Sequence, residues 1–116
     1  MTVRLFAMTC GWMTMPLRAF LDGQDGDIRL PVPCYLIKHP KGMVLFDSGL
    51  NTDLQQPESE RNQLITRRFR PEFIAGEELT ARLSRCEVDV AKVRYLINSH
   101  LHFDHSGGNR QVTKAR

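Results

Sequence analysis

Between Ser99 and Gly108 the chain reads SHLHFDHSGG, a stretch that holds His100, His102 and His105, three of its four histidines, together with Asp104. Imidazole and carboxylate are the donors expected at an open, catalytic zinc site, in contrast to the cysteine-rich sets of closed structural sites. On an extended backbone alternate side chains point the same way, so His100 and His102 can aim at one point. Asp104 and His105 follow where the chain can bend, and they can aim at a second. Gly107 and Gly108 give the backbone freedom to turn sharply under such a cluster. Leu101 and Phe103 alternate with the ligand-type residues and are expected to pack inward, holding the loop stiff. Three histidines and an aspartate at H-x-H-x-D-H spacing behind an apolar run point to a metal site. The fourth histidine, His39, reads as a solvated turn residue.

These residues need elements to hold them. Tyr95-Leu96-Ile97 reads as a short buried strand running straight into His100. Upstream, Val32 to Lys38 (VPCYLIK) and Met43 to Phe46 (MVLF) form a hairpin. Its turn, His39-Pro40-Lys41-Gly42, has Pro and Gly at the second and fourth positions of a type I turn. The second strand ends at Asp47-Ser48-Gly49, an acid and a glycine where strand meets loop. Thr2 to Thr9 reads as a first strand bounded by Gly11, in preference to a signal peptide: Thr9 and Thr14 interrupt the apolar run and no A-x-A-like cleavage site follows. Residues 51–63 are polar and loop-like. Glu77 to Cys86 has helical spacing, with Leu79, Leu83 and Cys86 on one side. The order of strands, hairpin, helix and strand predicts an α/β arrangement with strands packed under at least one helix.

Composition excludes several classes. The 116 residues are one ordinary domain by length, and 41% hydrophobic with 25% charged residues is the balance of a soluble globular chain. No run reaches the roughly 18 apolar residues of a membrane span, so no membrane partner is expected and the cytoplasm is the default location. Cys10, Cys34 and Cys86 are odd in number and not in CxxC pairs, which argues for free thiols. The net charge of +3 is modest. Arg61, Arg67, Arg68 and Arg70 form the densest basic run, and a solvated helix face is preferred over a nucleic-acid surface. Residues 22–27 (DGQDGD) fail the EF-hand spacing at Gln24 and read as an exposed turn.

SHLHFDHSGG resembles the signature of the metallo-β-lactamase superfamily. LPVPCYLIKHPKGMVLFDSGL, from Leu30 to Leu50, resembles the N-acyl homoserine lactonase-like branch. The resemblance implies a four-layer αββα fold, a mixed sheet with flanking helices, and a dinuclear centre, usually of zinc. By that motif His100 and His102 would bind the first metal, and Asp104 and His105 the second. Asp47 matches a position expected to support the metal loop from behind. The resemblance further implies attack of a metal-bound hydroxide on an ester, lactone or amide carbonyl, with Asp104 also passing a proton to the leaving alkoxide.

Members of the family draw further ligands from a second half: another histidine for the first metal, a bridging aspartate and a last histidine for the second. No histidine follows His105 here, and no Asp or Glu follows Asp104. Residues 1–116 are therefore expected to be the N-terminal part of such a domain, with an unpaired strand edge and an uncovered apolar face that invite association. Two functional readings follow. One is a zinc hydrolase opening a lactone such as an acyl homoserine lactone, or another ester or thioester as in the glyoxalase II-like branch. The other is an inactive fragment with an incomplete metal site.

Overall fold

The computed structural model describes residues 2–56 and 59–116, and of Arg61 the backbone alone. Four strands form one sheet in the order β1-β2-β3-β4: β1 Arg4–Pro16, β2 Asp27–His39, β3 Gly42–Phe46 and β4 Val93–Ile97. The first three are antiparallel neighbours, while β3 and β4 run parallel, so the sheet is mixed as expected. Parallel neighbours need a crossover. It carries the helices α1 Gln63–Phe69 and α2 Leu79–Arg85; a third, α3 Phe103–Ser106, follows β4.

The first strand runs past its expected end at Gly11 to Pro16. Gly11 adopts φ 95°, and the ladder shifts register between Thr9 and Trp12, so the glycine is a bulge inside the strand and not its terminus. Arg82 Nε donates to the Thr9 carbonyl at 2.8 Å, meeting an acceptor beside that irregularity. The turn at 22–26 is exposed, as expected, and the β2–β3 hairpin closes on Pro40 and Lys41 with His39 opposite Gly42. His39 Nδ1 accepts the Lys41 N–H at 3.0 Å, which places it in the turn as predicted.

The polar stretch 51–63 departs from a plain loop. Single 3₁₀ turns form at Thr52–Gln55 and Glu60–Asn62, the first capped by Asn51 accepting the Asp53 N–H; residues 57 and 58 lie outside the described residues. Helix α1 leaves Arg67 and Arg68 exposed, the solvated helix face expected of the basic run. After it, Glu72 and Trp12 exchange two backbone hydrogen bonds, docking the segment on β1.

Alternation divides the sheet into two faces. Cys34 and Leu36 on β2, with Leu45 on β3 and Met8 and Cys10 on β1, are buried against Leu79 and Leu83 of α2 and against Val88, Val93 and Val112. A second cluster joins Met13, Val32, Leu50, Leu54 and Phe73 to Ile65, Phe69 and Phe103. On the opposite face, Tyr35 and Phe46 pack edge to face, and Tyr95 and Ile97 stay exposed. A slip between the Met43–Val93 and Val44–Tyr95 pairs turns those two residues away from the core, so β4 is less buried than its apolar run suggested. Cys10, Cys34 and Cys86 are free thiols, the first two buried.

Candidate metal site at the strand ends

The parallel strands β3 and β4 release their chains side by side, and Asp47 and Ser99 leave from the same edge of the sheet. Asp47 sits at φ 61°, a left-handed conformation uncommon outside glycine, and its N–H donates to the Ile97 carbonyl at 2.8 Å. That bend buries its carboxylate beneath the histidine loop. Oδ1 accepts the Ser99 N–H at 2.7 Å, Oδ2 accepts the Ser99 hydroxyl at 2.8 Å, and Oδ2 lies 2.7 Å from His105 Nδ1. Burial pushes the Asp47 pKa up, but the hydrogen bonds from His105 and from the Ser99 N–H and hydroxyl outweigh it, and the net shift is downward.

The structure brings His100, His102, Asp104 and His105 together. The His100 ring centroid is 4.5 Å from that of His102 and 4.0 Å from that of His105. His105 Nε2 is 3.2 Å from Asp104 Oδ2, so these two donors converge on one region. Since its Nδ1 faces Asp47, His105 has Nε2 left for a ligand, the carboxylate–imidazole arrangement typical behind metal-bound histidines. This donor set fits zinc by chemistry: three imidazoles, one carboxylate, and a carboxylate orienting one imidazole from behind. Among the described residues, no three such groups are yet gathered closely enough to hold an ion by themselves.

The loop is clamped through its backbone. Ser48 N–H donates to the His105 carbonyl at 2.9 Å, and Gly107 N–H to the Gly49 carbonyl at 2.8 Å. Asp104 and His105 lie in the single-turn helix α3, where an irregular loop was expected. Gly107 (φ −62°) and Gly108 (φ −89°) occupy ordinary backbone regions, so conformational freedom is not their role. Close approach is: a Cβ on Gly107 would strike the Asn51 nitrogen, and one on Gly108 the Ser48 carbonyl oxygen. Leu101, expected to pack inward, is 79% exposed, because the chain turns into α3 and leaves it outside. Phe103 meets the expectation in part, its ring 4.8 Å from that of Phe69.

Sequence reasoning missed the polar clamp. Asn98 Nδ2 donates to the His105 carbonyl at 3.0 Å, Asn109 Nδ2 donates to Asn98 Oδ1 at 2.8 Å, and the Ser48 hydroxyl donates to Asn109 Oδ1 at 2.6 Å. Ser99, adjoining the first histidine, was also passed over. Nearby, hydrogen bonding with Cys10 and burial push the Cys34 thiol above its ordinary range. Beside the histidines lies a cavity of about 650 Å³ lined by Met13, Met15, Phe20, Leu30, Phe69 and Phe103, with His100, His102, Asp104 and His105 in its wall.

The chain is 32% identical over 86 residues to the N-acyl homoserine lactonase AttM of Azorhizobium caulinodans, an alignment covering 74% of this chain and 33% of that protein. It is likewise 32% identical over 87 residues to the N-acyl homoserine lactonase AiiA of Bacillus thuringiensis subsp. kurstaki, covering 74% of this chain and 35% of that one. A solved N-acyl homoserine lactone hydrolase, with the product N-hexanoyl-L-homoserine bound at its catalytic metal center, superposes with a TM-score of 0.83 at 29% identity, over 97% of this chain and 47% of that chain. The aligned region thus spans about a third of the length of these curated relatives and just under half of the solved chain. The family model of the metallo-beta-lactamase superfamily matches residues 27–116, from the first residue of β2 through the histidine loop, and the chain belongs to that superfamily.

Proposed function

We propose that residues 1–116 are the N-terminal part of a metallo-beta-lactamase domain that opens the ring of an N-acyl homoserine lactone. The observation that carries this reading is the apolar cavity with three histidines and Asp104 in its wall. An acyl tail would lie on Met13, Met15, Phe20 and Phe69, burying hydrocarbon and leaving the polar lactone head at the histidines. His100 and His102 would hold one zinc ion, and Asp104 and His105 a second. Zinc, when bound, supplies a Lewis acid for the lactone carbonyl and acidifies a water. Asp47 orients His105 through Nδ1. Asp104 would hand a proton to the leaving alkoxide oxygen as the ring opens. A lactone of this class is a signalling compound, so the activity would be quorum quenching. Three free thiols, two of them buried together, suit a reducing cytoplasm; no helix among the described residues is long and apolar enough to cross a membrane.

The test uses the 116-residue chain loaded with zinc and N-hexanoyl homoserine lactone, following proton release. Zinc-dependent opening that Asp104→Asn abolishes supports the reading. No turnover above buffer, with the fold verified by circular dichroism, overturns it for this chain. A second reading, an inactive fragment with an incomplete site, is favoured by the ligand count. Four donors shared between two metals leave two for each, where a catalytic zinc has three protein ligands. Zinc bound weakly and without turnover is the outcome that selects it.

A further inference from the structure

We propose that Ser99 is a positioning residue that relays the Asp47 carboxylate to His100, fixing His100 as the Nδ1–H tautomer and leaving its Nε2 lone pair free. The Ser99 oxygen lies 2.8 Å from Asp47 Oδ2, 3.1 Å from Asp47 Oδ1 and 3.0 Å from His100 Nδ1. A hydroxyl has one proton, and an ionised carboxylate only accepts. Were that proton aimed at His100, the hydroxyl and carboxylate oxygens would face each other with lone pairs at 2.8 Å. The proton therefore belongs to Asp47, and the hydroxyl turns a lone pair toward His100. His100 Nδ1 must then carry a hydrogen to make its contact.

His105 is set by the same carboxylate without an intermediary, its Nδ1 lying 2.7 Å from Asp47 Oδ2. One buried acid thus orients two imidazoles, one directly and one through a hydroxyl, and His105 turns its Nε2 toward Asp104 Oδ2, 3.2 Å away. The consequence for zinc rests on the metal reading above; the tautomers do not. His39 supplies a contrast within the chain. Its Nδ1 accepts the Lys41 N–H at 3.0 Å, so it must be the Nε2–H tautomer.

Long-range ¹H–¹⁵N spectra of the metal-free 116-residue chain, recorded near pH 8 where imidazoles of ordinary pKa are neutral, read each tautomer separately. His100 and His105 are expected as Nδ1–H and His39 as Nε2–H. Ser99 is exposed, so Ser99→Ala removes the hydroxyl without opening the core. In that variant His100 should move toward Nε2–H while His105 keeps its hydrogen on Nδ1, and Ser99→Thr should restore the wild-type spectrum. Zinc affinity should fall about tenfold in Ser99→Ala and recover in Ser99→Thr. A wild-type His100 found as Nε2–H, or one unmoved by Ser99→Ala, overturns the relay. The expected tautomers in a chain that binds no zinc would uphold the relay and refute the metal reading instead.

Discussion

At Gly108 the site depends on an atom that is missing. Nothing in its φ requires glycine, but a methyl group there would collide with the Ser48 carbonyl oxygen, itself part of the backbone that clamps the histidine loop. Backbone cannot rotate aside as a flexible side chain can. Gly108→Ala is therefore expected to cost about 2–3 kcal/mol in urea unfolding, at the upper end of what overpacking usually costs. Among the titratable side chains, the sequence legibly marked His100, His102, Asp104 and His105, because ligand types at fixed spacing are visible in a string. Asp47 was legible only through the family resemblance of its FDSG stretch. Ser99, Asn98 and Asn109 were not. A hydroxyl or an amide takes its role from what lies opposite, and for Ser99 that is a carboxylate 52 positions away in the chain.

At the scale of elements, α2 was legible through Leu79 and Leu83, both fully buried under the sheet. Its N-terminus has a charge-dependent hold that periodicity cannot show. Glu78 Oε2 accepts from Gln55 Nε2 at 2.9 Å and from the Gly76 N–H at 2.8 Å. The hydrogen bond from Gln55, with smaller help from Gly76 and Arg82, holds the Glu78 pKa below its ordinary value. A depressed folded-state pKa gives stability that is present above the unfolded value of 4.5 and is lost as pH falls through the folded one. Glu78→Gln should accordingly lose less stability than the wild type between about pH 5 and pH 3, as denaturant melts across that range would show. The single-turn helix α3 escaped sequence reading because four residues carry no period. The extension of β1 escaped it because Gly11 looks the same in a strand-ending turn as in a bulge.

The whole molecule is less compact than its length allows. Its radius of gyration is 15.2 Å, where about 13 Å is expected of a compact chain of this size. One face of the sheet is covered by α2 and the following segment; the other leaves Tyr95 and Ile97 exposed beside half-covered Tyr35 and Phe46. A single sheet with one half-covered face accords with an alignment that reaches just under half of the solved lactone hydrolase. The histidine loop, the carboxylate behind it and the apolar cavity beside it are nonetheless all assembled within the described residues. The central claim is that this assembly holds metal through His100, His102, Asp104 and His105. Calorimetric titration of zinc into the 116-residue chain tests it most directly, with His105→Ala and His39→Ala alongside. The account predicts zinc binding that His105→Ala weakens by about tenfold or more and that His39→Ala leaves unchanged. Absence of binding in the folded chain, or equal losses in the two variants, would contradict it.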